Sequence, residues 1–139
     1  MLANGAKLYV AEIPATGDPT YTELTGLKEI PDLGVDPEKV ENTCLTDAIK
    51  HYEMGIGDPG DMEYVFKYDN SAATSAYRVL RGYEADHETV RFKEVTFDGT
   101  TTIFDGTVAV KRNGGGVNAA IEFTLSIALA SDLTITNPA

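Results

Sequence analysis

Between Asp61 and Gly82 the chain changes its hydrophobic period once, and that change bounds what it can fold into. Met62, Tyr64, Phe66 and Tyr68 alternate with Glu63, Val65, Lys67 and Asp69, the pattern of a strand with one apolar face. At Asn70-Ser71 the spacing turns helical. Either side chain can accept a hydrogen bond from the first free helical N–H groups, and Ala73, Ala76, Tyr77 and Leu80 then share one face. The expected helix covers about Ser71–Arg81, with Gly82 as the left-handed residue that ends it. Three turns of helix are marginal alone in water. The helix must therefore lie on a sheet, and the remaining segments read as strands and turns. The fold class is mainly β: an antiparallel β-sandwich or open barrel with one flanking α-helix.

A chain of 139 residues is one domain's worth, with residues 1–139 forming a single unit that buries roughly two-thirds of its unfolded surface. No apolar run is long enough to span a bilayer, and the first seven residues lack the basic end and apolar core of a secretory signal. Cys44 is the only cysteine, which excludes an intramolecular disulfide and fits a reducing cytoplasm. The net charge of −11 is uneven. Residues 1–69 carry 5 basic and 14 acidic side chains, residues 70–139 carry 6 and 8. Tight nucleic-acid binding needs clustered Lys and Arg to neutralise phosphates, so the balance argues against it.

In chain order, Lys7 to Glu12 is a strand with Leu8 and Val10 on one face. Tyr21 to Ile30 is a second extended piece, closed by Pro31 and placed to pair with the first. From Pro31 to Gly60 glycines and prolines recur around a short extended segment near Glu38–Thr43. A stretch this poor in regular structure is usually disordered or functional. Its apolar side chains, Val40, Leu45, Ile49, Tyr52, Met54 and Ile56, are too many for a tether, so the stretch, with its long loop at about Thr43–Gly60, reads as an arm that docks on a partner. Beyond the helix, Thr89 to Phe97 shifts register between Val90/Phe92 and Val95/Phe97, which a bulge near Lys93-Glu94 would reconcile. Asp98-Gly99 is a hairpin signal leading into Thr101–Arg112. After the Asn113–Gly116 turn, Asn118–Ala130 has the clearest alternation in the chain: Ile121, Phe123, Leu125, Ile127 and Leu129 against small or polar neighbours.

The residues that carry chemistry elsewhere do not assemble here into a recognisable site. Cys44 and His51 lack an orienting third group and an oxyanion site at recognisable spacing. His87, among Glu84, Asp86 and Glu88, has no second His or Cys to complete a metal set, and Asp58–Asp61 lacks the ligand spacing of a calcium loop. Gly114–Gly116 joins strand to strand, whereas a phosphate cradle joins strand to helix. No catalytic residue, metal or cofactor is expected. The small polar face of the last strand, with Glu122, Thr124 and Ser126, is either an ordinary wet face or a surface that another chain or a passing polymer approaches closely.

Leu27–Leu33, the run Glu38–Asp47, Tyr52–Gly60, the strand ending Lys67-Tyr68-Asp69, the single helix and the long C-terminal strands stand in the order found in major tail tube proteins of long, noncontractile-tailed bacteriophages, which this layout resembles. That resemblance implies a structural virion protein without catalysis, assembled in the host bacterial cytoplasm. It implies hexameric rings stacked into a tail tube that conducts DNA, with tape measure, tail tip and tail terminator proteins as partners and no membrane association. By the same resemblance the long loop, with Cys44, Leu45, Ile49, Tyr52, Met54 and Ile56, reaches the neighbouring ring, and Glu122, Thr124 and Ser126 are candidates to face the lumen. Negative charge near such a channel would keep DNA from adhering. Competing readings are another ring component of the tail, such as a terminator or connector, and a non-catalytic β-sandwich binding module. The module would need a concave aromatic platform, whereas the tyrosines here are scattered.

Overall fold

The computed structural model describes residues 2, 4–34, 36–58 and 61–138, with side chains left undescribed at 36–38, 55–58 and 61. Ten strands and one helix follow one another: β1 (Lys7–Glu12), β2 (Thr22–Leu24), β3 (Leu27–Glu29), β4 (Asp36–Glu41), β5 (Tyr52–Asp58), β6 (Asp61–Lys67), α1 (Ala76–Ala85), β7 (Val90–Val95), β8 (Thr101–Asn113), β9 (Glu122–Leu129) and β10 (Thr134–Thr136). All but β4 and β5 join one antiparallel sheet in the order β2-β1-β7-β8-β9-β6-β3, with β10 also on β8.

Two features turn that sheet into a sandwich. The first is β8, whose residues Thr101–Gly106 pair with β7 while Gly106–Asn113 pair with β9. The hand-over falls on Gly106, where a Cβ would lie 2.6 Å from Ile127 Cγ2 and 2.7 Å from the Ala128 carbonyl, so only a glycine fits this close approach. The second is the link Thr25-Gly26. It joins β2 at one end of the strand order to β3 at the other, and so short a connection holds the two edges within about 11 Å. Gly26 turns this corner at a φ of 85°, and its carbonyl accepts the Lys67 N–H at 2.7 Å. The sheet closes covalently at the corner without closing into a barrel.

Between the layers lie Leu8, Val10 and Leu24 from β1 and β2, Val90 and Phe92 from β7, Phe104 from β8, and the alternating residues of β6 and β9: Met62, Tyr64, Phe66, Phe123, Leu125 and Ile127. Phe66 and Phe123 stack across paired strands with ring centroids 5.0 Å apart. These inward registers match the sequence pattern except at two places. Ile121 lies on the surface, one residue before β9 starts. The expected bulge near Lys93-Glu94 is absent: β7 runs regularly, Glu94 itself continues the inward series Val90-Phe92, and Phe97 is exposed in the turn that follows. Glu94, 2% exposed, accepts the Tyr64 hydroxyl proton at 2.7 Å, so a polar pair ties β7 to β6 through the core. Burial pushes the Glu94 carboxyl above its ordinary pKa despite that bond, and burial beside Glu94 likewise raises the Tyr64 hydroxyl.

The helix corresponds to the expected one but is displaced along the chain, from Ser71–Arg81 to Ala76–Ala85. Its candidate caps are engaged elsewhere. Asp69 accepts the Ser71 N–H at 3.0 Å, and Arg78 donates to both the side chain and the carbonyl of Asn70. Ser75 is the residue that precedes the helix, and its hydroxyl accepts from Ala72 instead of a helical N–H. Gly82 is an ordinary helical residue. The left-handed position falls on His87 (φ 51°), with the His87 N–H on the Glu84 carbonyl and the Glu88 N–H on the Tyr83 carbonyl. That pair of bonds is a Schellman end closed without glycine. Leu80 and Ala76 enter the core, Tyr77 meets Phe123 edge-on, and Glu84 accepts the backbone N–H of Val110 on the flank of β8 beyond the reach of β7. The helix thus covers strand edge that would otherwise be left unpaired.

The Tyr21–Ile30 piece divides. β2 pairs with β1, as expected of a hairpin, but β3 crosses the corner and pairs with β6 in the other layer.

Candidate assembly interface

The segment expected as the long loop Thr43–Gly60 is instead largely a hairpin. β4 and β5 pair from Asp36↔Asp58 to Glu41↔Tyr52, forming a two-stranded sheet separate from the sandwich. The short extended segment expected near Glu38–Thr43 corresponds to β4, while β5, with its glycines, was read as loop. At about 3.3 Å per residue this arm is close to 20 Å long before its tip.

The tip, residues 42–51, closes on itself. Asn42 donates its backbone N–H to the His51 carbonyl, Thr43 Oγ1 accepts the His51 N–H, and Asp47 accepts the Cys44 N–H at 2.6 Å while donating its own N–H to the Cys44 carbonyl. With its two ends tied in this way, the tip turns apolar side chains outward: Leu45 is fully exposed, and Ile49 and Cys44 are exposed beside it. On the strands, Tyr52 and Met54 share one face of the arm with Lys39 and Glu41, while Val40 and Glu53 share the other. Val40, Tyr52 and Met54 are all exposed, Met54 by 64%. The structure therefore brings Cys44, Leu45, Ile49, Tyr52 and Met54 onto one projecting element. The Ile56 side chain lies outside the described residues.

Glu122, Thr124 and Ser126 alternate along the outward face of β9, each half-buried. Glu122 takes an ion pair from Lys28 at 2.6 Å, and Thr124 accepts from Asn113 at 3.0 Å. Neighbouring strands add Glu63 and Lys67 from β6 and Ala109 and Lys111 from β8 to the same face. Among the described residues this face has Lys28, Lys67 and Lys111 against Glu29, Glu63 and Glu122, so the acidic excess expected near a channel does not lie here.

The opposite outer face is differently built. Arg91 holds Asp105 through two bonds of 2.8 and 3.2 Å, and Lys93 sits over the rings of both Tyr9 and Tyr21. At the Thr25-Gly26 corner, two adjoining hollows of about 340 and 170 Å³ share Gly5, Ala6 and Leu27 as lining. Phe97, 76% exposed, leans against Gly5 beside them. The sequence reading missed this corner because it placed Phe97 inward. The available signal was Glu94, which keeps the even register of Val90 and Phe92 and leaves Phe97 beyond the strand.

Of the remaining sequence candidates, Cys44 and His51 lie at the exposed arm tip, with His51 3.7 Å from Asp47, and His87 serves the helix end. Among the described residues no group of three or more His, Cys, Asp or Glu is placed to hold a metal ion, and no helix is long and apolar enough to cross a membrane.

A β-sandwich with Val40, Leu45, Ile49, Tyr52 and Met54 exposed together on a separate hairpin falls in the class of structural proteins that work through contact surfaces. A family model described as "Phage tail tube, TTP, lambda-like" matches residues 1–114, and the chain belongs to that family. It is a structural component of a phage tail tube and hence a virion protein. No curated protein matches the sequence. Among solved structures, the tail of an empty gene transfer agent particle with C6 symmetry is similar at 19% identity and a TM-score of 0.66, over 93% of this chain and 95% of that one. The SPP1 tail tube aligns at 12% identity and a TM-score of 0.59, over 96% and 77%. A sheath/tube terminator of an extracellular contractile injection system aligns at 5% identity and a TM-score of 0.72, over 98% and 96%. At such identities the likeness is one of fold.

Proposed function

We propose that residues 1–139 act as one tail-tube domain whose copies form hexameric rings, and that the rings stack into the conduit for DNA ejection. The family match supplies the class, and the arm carries the mechanism: a hairpin separate from the sandwich with Leu45, Ile49, Tyr52 and Met54 exposed is suited to burying those side chains on another ring. Cys44 and Ile56 belong to the same docking segment. The C6 symmetry of the gene transfer agent tail supports six subunits per ring. Sheet edges left open along β2 and β3 suit ring closure, because a neighbouring strand satisfies their backbone groups.

Glu122, Thr124 and Ser126 are the proposed lumen residues. Their face is small, polar and nearly balanced in charge, so DNA would pass without a dense row of cations to hold it. The role is structural, with no catalytic step and no membrane association. Assembly takes place in the host bacterial cytoplasm, with tape measure, tail tip and tail terminator proteins as partners. A terminator forming one closed ring is the second reading, favoured by the likeness to the sheath/tube terminator fold. It gives the apolar arm less to do, since a single ring has no successor of its own kind.

Negative-stain electron microscopy across a concentration series, with sedimentation in parallel, tests the proposal. Stacked rings or hollow tubes are expected. Closed single rings at every concentration would favour the terminator, and a monomer that stays monodisperse even with tail-tip nuclei added would overturn the tube reading.

A further inference from the structure

We propose that the acceptor for the arm is the corner hollow of a second copy of this chain, formed by Gly5, Ala6, Leu27 and Ile30 with Phe97 at its edge. The inference rests on the stacked-ring reading and adds the site where stacking occurs. Position carries it first. The arm returns to the sandwich at the Asp61 end of β6, where Asp61 pairs with Ala128, whereas the hollow lies at the Lys67 end, where Lys67 donates to Gly26. Seven residues of strand separate the two, about 20 Å. Donor and acceptor at opposite ends of one body make a contact that is not self-complementary, so each copy that receives an arm still offers its own. Such a head-to-tail contact continues without limit when the copies are translated along an axis.

Chemistry carries it next. The hollow sets Ala6, Leu24, Leu27 and Ile30 beside a polar rim that includes Lys7, Glu23 and Lys28, and Phe97, a large exposed hydrophobic, stands at its edge. The arm offers Leu45 and Ile49 on a tip whose two ends are tied by bonds at Asn42, Cys44, Asp47 and His51, so less loop freedom is lost when they are seated. Charge agrees. Residues 36–58 carry six acidic and two basic side chains, net −4, while Lys7, Lys28 and Lys67 stand around the corner against Glu23 and Glu122. An acidic arm approaching a basic rim finds its register by long-range attraction before the apolar contacts form.

Cross-linking tests the contact in the full chain. In a Cys44→Ser background, Ile49→Cys is combined with Ala6→Cys, and assembled tubes are treated with a short bis-maleimide. The expected product on a denaturing gel is a ladder extending well past the dimer, because each copy is both donor and acceptor. A control combining Ile49→Cys with Thr20→Cys, at the far end of β1, should give none. Tubes that cross-link only in the control, or only within one chain, overturn the corner as acceptor and leave the tube reading standing. A protein that stays monomeric with wild-type residues at these positions overturns both. Should the cysteine pair itself block assembly, a charge exchange decides. Lys7→Glu with Lys67→Glu should raise the concentration needed for tubes several-fold, and Glu53→Lys in the arm should restore it. Failure of that restoration sinks the proposal.

Discussion

The sandwich and the arm use the same antiparallel strand geometry and dispose of their side chains in opposite ways. In the sandwich, Phe66, Phe92, Phe104 and Phe123 are fully buried, and each inward register is covered by the facing layer. In the arm, Val40, Tyr52 and Met54 remain in water. A fully buried side chain of this size contributes about 1.5–3 kcal/mol, and a lone two-stranded hairpin is marginal in water. The sandwich therefore holds its stabilisation within one chain, while the arm keeps its share unspent until a second surface covers it. On the proposed docking, stability of the subunit and stability of the tube are set by different residues, and substitutions can separate them.

The largest effect should come from the core. Phe123 stacks on Phe66 and meets Tyr77, so Phe123→Ala removes the contact joining β9, β6 and α1. Denaturant unfolding of the monomer should show a loss of about 3–5 kcal/mol. A loss below 1 kcal/mol would mean that the layers repack freely and that the contrast with the arm is overdrawn. Gly106→Ala comes next. Its methyl would meet the Ile127 side chain and the Ala128 carbonyl where β8 changes layers, and the expected cost is about 1–3 kcal/mol.

Glu94 gives the core a pH dependence. Its folded-state pKa is raised by burial, so its contribution is fully present below the carboxylate's unfolded value and is lost as pH rises through the folded one. Asp69 and Asp98, held below their ordinary values by hydrogen bonds from Ser71 and from Thr96 and Thr100, work in the other direction. Only the difference between parent and variant isolates Glu94. Glu94→Gln keeps an acceptor for Tyr64 and should unfold at higher denaturant than the parent near neutral pH, with the gap closing toward acid. Parallel pH profiles would show that the carboxyl carries no such penalty.

These sites also mark what the amino-acid sequence made legible. Alternation located β1, β6 and β9 and their inward faces, because one buried face leaves a period of two in the residues themselves. The helix was legible as an element and displaced as a span. Its start depends on whether Asn70 and Ser71 are free to cap, and Asn70 is held by Arg78 eight residues beyond it while the Ser71 N–H is held by Asp69. The corner at Thr25-Gly26 was not legible, since nothing local tells a two-residue link inside a layer from one that joins two layers. The arm was recognised by its apolar content, while its hairpin character was hidden by glycines and prolines at a density that usually marks loops. The hollow at that corner was missed outright, being assembled from three segments far apart in sequence.

A smaller effect tests the helix end. His87 occupies a left-handed position that glycine adopts without strain, so His87→Gly should stabilise the subunit by roughly 0.5–1 kcal/mol. Tube formation should be unchanged, because the residue lies in neither the arm nor the corner. A destabilised variant would mean that the imidazole makes a contact worth more than the backbone strain it imposes.

The smallest effect on the subunit is expected where the effect on assembly is greatest. Tyr52→Ser with Met54→Ser replaces two side chains that the monomer already leaves in water, so its unfolding midpoint should stay within about 0.5 kcal/mol of the parent. In the tube both positions would face another subunit, and their apolar area would be missing from every inter-ring contact. Rings are expected to persist, since the edges β2 and β3 are untouched, but tubes should shorten or vanish at concentrations where the parent forms them. Sedimentation reads both outcomes in one experiment. A variant that unfolds early would show that the arm already packs on its own sandwich, and one that still builds full-length tubes would show that stacking runs through the sandwich ends alone. In either case the division between a self-sufficient body and an arm waiting for a neighbour would be lost.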